Sequence, residues 1–138
     1  NLAHSTTNRK IIGSSECVEV VIGAMEKFKD NVKVQKRGCL ALGNLAVVPK
    51  NRKIIVSLNG IQLVIRAMKT FEDNEEVQQS GCCALGNIAS NPKNRDIILQ
   101  SGGIALIRAC RVNFGSKTQK WADYALKELR VKKIMKRL

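Results

Sequence analysis

Apolar and polar residues follow one another along this chain with helical rather than strand spacing. Between about Cys17 and Phe28, the residues Val20, Val21, Ala24, Met25 and Phe28 fall on one side of a helix. From about Val32 to Ala46 a second stripe runs through Val34, Leu42 and Leu45, with Cys39 alongside. Both patterns return, at Ile61–Phe71 and at Glu75–Ala89, where Val77, Cys82, Leu85 and Ile88 repeat the stripe. The first of them returns again from Ile104 to about Val112. A shorter helix is predicted before each pair, over Thr7–Gly13, Lys50–Leu58 and Lys93–Gln100. No strand is predicted.

The punctuation agrees with this division. Asn59-Gly60 and Gly102-Gly103 break the chain between the first and second helices, as glycines that accept a positive φ at a tight corner. Asp30-Asn31 and Asp73-Asn74 offer side-chain oxygens to the start of the third helices. Pro49 and Pro92 help to stop the third helices. Gly38 and Gly81 stand mid-helix, where each costs about 1 kcal/mol relative to alanine. Their recurrence predicts a neighbouring helix backbone that passes too close for a side chain.

The recurrence is a repeat. Asn8-Arg-Lys-Ile-Ile12 returns as Asn51-Arg-Lys-Ile-Ile55 and as Asn94-Arg-Asp-Ile-Ile98, spaced by 43 residues each time. Laid over each other without a gap, 8–47 and 51–90 agree at more than half of their positions. Units of this length cannot bury their apolar faces alone and must stack. The chain is divided into a single domain with the end of a truncated unit at 1–6 and units at 7–49 and 50–92. A divergent last unit with a basic C-terminal helix fills 93–138, its third helix matching the preceding one at a spacing of 41. Asn1-Leu2-Ala3 aligns with Asn44-Leu45-Ala46, as expected of a fragment of a longer array. Such a cut would expose Ile11, Ile12 and Val21 at one end and Leu126 and Leu129 at the other, so end-to-end self-association is expected.

The runs Val77-Gln78…Gly81-Cys82-Cys83-Ala84-Leu85-Gly86-Asn87-Ile88-Ala89 and Asn94-Arg95…Ile98…Gly102-Gly103-Ile104 resemble the armadillo-repeat family, whose members include beta-catenin and the alpha-type importins. The resemblance implies an all-α fold, a right-handed superhelical solenoid of three-helix repeats. It also implies a groove of third helices that holds a protein or peptide in extended form. An asparagine near the end of each third helix bonds the partner's backbone in that family, and Asn44 and Asn87 match it. The tryptophan that often precedes it by one turn in the importin type is replaced by Leu40 and Cys83, and in the last unit by Tyr124, with Glu128 in place of the asparagine. These departures, and the basic rather than acidic charge, count against a nuclear-import cargo site.

An amide suits such a ladder because it offers both a donor and an acceptor to an extended backbone. The alternative is that Asn44 and Asn87 bond within their own helices. Arg37, Leu40, Ser80, Cys83, Trp121 and Tyr124 stand one or two turns before the ladder position and would line the groove. Trp121 and Tyr124, the single Trp and Tyr of the chain, either anchor a partner or seal the core of the last unit.

Charge adds a second reading. The net charge of +13 favours anionic partners. Lys27, Lys29, Lys33, Lys36 and Arg37 form one cluster, and Lys127, Arg130, Lys132, Lys133, Lys136 and Arg137 another. They are read either as a solvated surface or as a contact for an acidic protein, nucleic acid or membrane headgroups. Aromatic residues, at 4%, are too few for a stacking platform on single strands. Five cysteines without CxxC spacing and one histidine predict reduced, buried thiols and a cytoplasmic or nuclear location. No secretory signal is read in the polar segment Asn1–Lys10. No catalytic constellation, nucleotide loop, cofactor site or metal site is expected.

Overall fold

The computed structural model describes residues 15–131, which form eight α-helices and no strand. They are α1 (Ser15–Lys27), α2 (Val32–Leu45), α3 (Pro49–Ser57), α4 (Gly60–Thr70), α5 (Glu75–Ile88), α6 (Pro92–Gln100), α7 (Gly103–Asn113) and α8 (Ser116–Glu128). Helices α3–α5 and α6–α8 are two successive three-helix units. The helix expected over Thr7–Gly13 lies outside the described residues, as do Ile11, Ile12 and the basic segment from Lys132. The most extensive contacts run along the third helices, α2 on α5 and α5 on α8.

Each joint is made by the same few side chains in successive units. Asn31 and Asn74 cap α2 and α5, accepting from the N–H of Val34 at 3.1 Å and of Val77 at 3.0 Å. Such caps contribute about 1 kcal/mol each. In the last unit Gly115 stands at that place, and the Glu75 carboxylate accepts from the Gly115 N–H at 3.2 Å and the Thr118 hydroxyl at 2.8 Å. Gln35 Nε2 donates to the carbonyls of Met25 and Phe28 at the end of α1. Gln78 does the same for Met68 and Phe71 at the end of α4. Asn51 Nδ2 donates to Leu45 O at 3.0 Å and Arg52 Nη1 to Ala46 O at 2.8 Å, closing the end of α2. Asn94 and Arg95 close α5 through Ile88 O and Ala89 O. The recurring Asn-Arg pair thus satisfies carbonyls that a helix end leaves open.

Several expectations change in detail. The glycines at 38 and 81 face side chains rather than backbone: a Cβ there would lie 2.4 Å from Met25 Cγ and 2.5 Å from Met68 Cγ. At the corners the positive φ belongs to Asn59 (61°) and Gly102 (83°), whereas Gly60 and Gly103 are helical. Those two are glycines because a Cβ would strike Ile55 and Ile98, whose carbonyl oxygens would be 2.8 and 3.0 Å away. Pro49 and Pro92 open α3 and α6 at their first turn, where a missing N–H costs nothing.

Of the stripe expected on α1, Met25 is in the core and Val21 packs against it, but Val20 and Phe28 do not face it. Val18 and Ile22 do, while Val20 is 71% and Phe28 47% exposed. Leu129 is fully buried and Leu126 partly so, which leaves Leu126 as the surface-reaching one of the two. No disulfide joins the five cysteines. Burial pushes the Cys39 thiol up to about 12. A hydrogen bond with Cys110 and burial push Cys82 up further. No helix among the described residues is long and apolar enough to cross a membrane.

Candidate partner-binding face

The third helices α2, α5 and α8 lie side by side, spaced by small residues. A Cβ at Gly43 would sit 3.4 Å from Ala84 Cα, and one at Gly86 would sit 3.3 Å from Ala125 Cα, so these glycines let neighbouring helices touch. Beside them a chain of hydrogen bonds crosses the row. Asn87 Nδ2 donates to Gly43 O on α2 at 2.8 Å, and the Tyr124 hydroxyl on α8 donates to Asn87 Oδ1 at 2.5 Å. Asn87 therefore bonds neither within its own helix backbone nor to open solvent alone; it braces three helices. Cys83 lies one turn earlier, with its sulfur 3.8 Å from Asn87 Nδ2.

Of the residues singled out from sequence, Cys83, Asn87, Tyr124 and Trp121 come together. Trp121 and Tyr124 meet edge to face with ring centroids 5.6 Å apart. Ser80 and Cys83 are buried. Arg37 and Leu40 are exposed on α2, two turns and one turn before Asn44. Asn44 is half-buried, and its Nδ2 is shielded from solvent without a hydrogen-bond acceptor among the described residues.

Polar residues outside the expected groove lining also reach this face, Lys33 and Lys36 of the first basic cluster among them. Lys36 Nζ meets Glu76 Oε2 at 2.7 Å, tying α2 to α5 across an exposed surface. That hydrogen bond, together with the charges of Lys36 and Lys117, holds the Glu76 carboxyl below its ordinary range. Lys33, Lys117 and Lys120 are exposed on the same third helices. The signal for Lys117 and Lys120 was the 41-residue register, which lays them over Glu76 and Gln79. Burial, then the Glu128 carboxylate, raises the Tyr124 phenol, so it remains a hydrogen-bond donor at neutral pH. No group of three or more His, Cys, Asp or Glu able to hold a metal occurs among the described residues.

Residues 49–90, which span α3 to α5, match the Armadillo/beta-catenin-like repeat. Three crystal structures of engineered proteins from the Northeast Structural Genomics Consortium share the fold. The first superposes with a TM-score of 0.77 at 27% identity, covering 94% of this chain and 52% of that one. A second gives 0.81 at 22% identity, over 94% of this chain and 53% of its own. A third gives 0.77 at 27% identity, over 94% of this chain and 31% of its own. The chain thus spans about half the length, or less, of the structures it matches. No curated protein matches it significantly. Residues 49–90 are thus an armadillo-like repeat, and the same three-helix plan and side-chain joints continue into the neighbouring units.

Proposed function

We propose that the row of third helices forms a groove for an extended, acidic segment of a partner protein. The observation that carries this reading is the charge of the row. Lys33, Arg37, Lys117 and Lys120 are exposed there without an ion-pair partner among the described residues. The carboxylates of Glu75 and Glu76 are already engaged within the chain. An acidic strand passing over the row gains from these cations, and its approach is favoured at long range.

In this reading Asn44, half-buried on α2, turns its amide outward to bond the partner's backbone, since its Nδ2, shielded in the free chain, has no acceptor among the described residues. Asn87 has the second role of a brace, released to the partner only if Tyr124 gives way. Arg37 and Leu40 flank Asn44, Ser80 and Cys83 floor the centre, and the Trp121–Tyr124 pair forms an apolar end stop.

The test is the binding of a fluorescent, unstructured peptide of alternating glutamate and serine, at low and physiological salt. Reversing Lys33, Arg37 and Lys120 to glutamate should weaken binding about tenfold or more and flatten its salt dependence. Asn44→Ala should weaken it by about fivefold, as expected for one backbone hydrogen bond of roughly 1 kcal/mol. Binding that ignores the three reversals sinks the acidic groove, and a lysine–serine peptide that binds equally well sinks its sign.

A further inference from the structure

One face of α1 has the register of the faces that join the units. Leu63, Val64 and Ala67 of α4, 43 residues on, are 5% exposed or less. Val20 is 71% exposed at the matching place, and Val21 and Ala24 are only half-buried. That this register looks toward the preceding unit follows from Cys110, which stands where Ala24 and Ala67 stand. Its thiol donates to Gln78 Oε1 of the preceding α5 at 3.3 Å. The Val20–Val21–Ala24 face is therefore a unit-joining face with no unit on it among the described residues.

The opposite end of the row carries a cleft of about 820 Å³ between α7 and α8. Val112, Leu126 and Val131 give it an apolar lining, and Arg108, Lys127 and Arg130 surround them. Two replacements distinguish this end from the joints within the chain. Arg108 stands where Ile22 and Ile65 are buried. Lys127 stands where Gly43 and Gly86 admit the next third helix. A further third helix cannot come as close over a lysine as over a glycine, whereas a second helix can still lie in the cleft. Such a helix must bring carboxylates, because Arg108, Lys127 and Arg130 have no ion-pair partner among the described residues, Arg111 being held by Asp123 at 2.6 Å. Helix α1 has that composition. Glu16 lies one turn before Val20 and Glu19 beside it, both exposed.

We propose that copies of this chain associate head to tail, the Val20–Val21–Ala24 face of α1 seating in the α7–α8 cleft of the next copy. Glu16 and Glu19 then meet Arg108, Lys127 and Arg130. The two surfaces differ, so the contact is heterologous and does not close at two copies unless the rotation happens to form a ring.

Sedimentation velocity over a range of concentrations tests this on the whole chain. The average sedimentation coefficient should rise with concentration beyond the dimer value and fall back as salt is added. Glu16→Lys with Glu19→Lys, and separately Arg108→Glu with Arg130→Glu, should each weaken association about tenfold or more with melting temperature unchanged. Mixed together, the two variants should associate again, since a basic α1 now meets an acidic cleft. A wild-type chain that stays monomeric overturns the proposal. So does association that survives both reversals, a limiting symmetric dimer, or a mixture that fails to recover. The groove reading is untouched by any of these outcomes, because the glutamate–serine peptide reports on Lys33, Arg37 and Lys120 instead.

Discussion

The Tyr124 hydroxyl donates to Asn87 Oδ1 at 2.5 Å, and this single contact joins the last third helix to the amide at the centre of the row. Removing it with Tyr124→Phe leaves a partly buried acceptor unpaired. The expected loss is about 1 kcal/mol in urea unfolding, with helicity retained. Loss of several kcal/mol would mean that the ring packing is disturbed as well.

Tyr124 is the only tyrosine, so its ionisation can be read directly from ultraviolet absorbance. Its pKa in the fold is raised above the ordinary 10, first by burial and then by Glu128. A group raised in the fold contributes stability that is complete below the unfolded pKa and lost as pH climbs through the folded one. The midpoint of phenolate absorbance should therefore lie above 10 and drop towards 10 in urea. Thermal stability should fall in that alkaline window for wild type more steeply than for Tyr124→Phe.

The two buried glutamines give a comparison inside one molecule. Gln78 Oε1 accepts from the Cys110 thiol, while Gln35 Oε1 is buried without a partner among the described residues, Ala67 occupying the matching place. Ala67→Cys should supply the missing donor and raise stability by about 0.5 kcal/mol, a small gain because a thiol is a weak donor. Cys110→Ala should lower it by about 1–3 kcal/mol, combining a lost contact with an unpaired acceptor. Equal and unfavourable effects at both sites would show that volume, not the hydrogen bond, decides.

Glycine substitutions should split by position. Gly23 has nothing within 4 Å of an added Cβ and lies in mid-helix, so Gly23→Ala should stabilise by about 0.5–1 kcal/mol. At Gly60 the same methyl would meet Ile55 O at 2.8 Å, and Gly60→Ala should destabilise by about 1–3 kcal/mol. Chemical denaturation midpoints decide both.

Much of this was legible in the chain itself. Helix starts at Val32 and Glu75 were marked by Asn31 and Asn74, whose short side chains act on backbone three residues away. The bounds of the other helices predicted within the described residues fall within a residue or two of those in the structure, since period and breakers are local. What the sequence could not separate was one apolar face from another. Val18, Ile22 and Met25 are buried whereas Val20 is exposed and Val21 and Ala24 are half-buried, yet both sets have helical spacing. The work of Asn51 and Arg52 was equally hidden, because their acceptors, Leu45 O and Ala46 O, belong to the unit before. At the candidate face the register of Asn87 was readable, but its bond to Tyr124 spans a unit where the spacing slips from 43 to 41.

The Asn-Arg joint also moves the boundary of what folds together. Each first helix opens a sequence period, yet its Asn and Arg close the last turn of the third helix before it. The cooperative block is therefore out of phase with the written repeat: it runs from a second helix through the following first helix. A nearest-neighbour description of unfolding should place its weak links just after Ser57 and Gln100 rather than before Pro49 and Pro92. Arrays shortened or spliced at the former positions keep every third helix with its own closing pair, whereas a cut at a period boundary strands the two carbonyls that this pair closes and frays the turn that carries them.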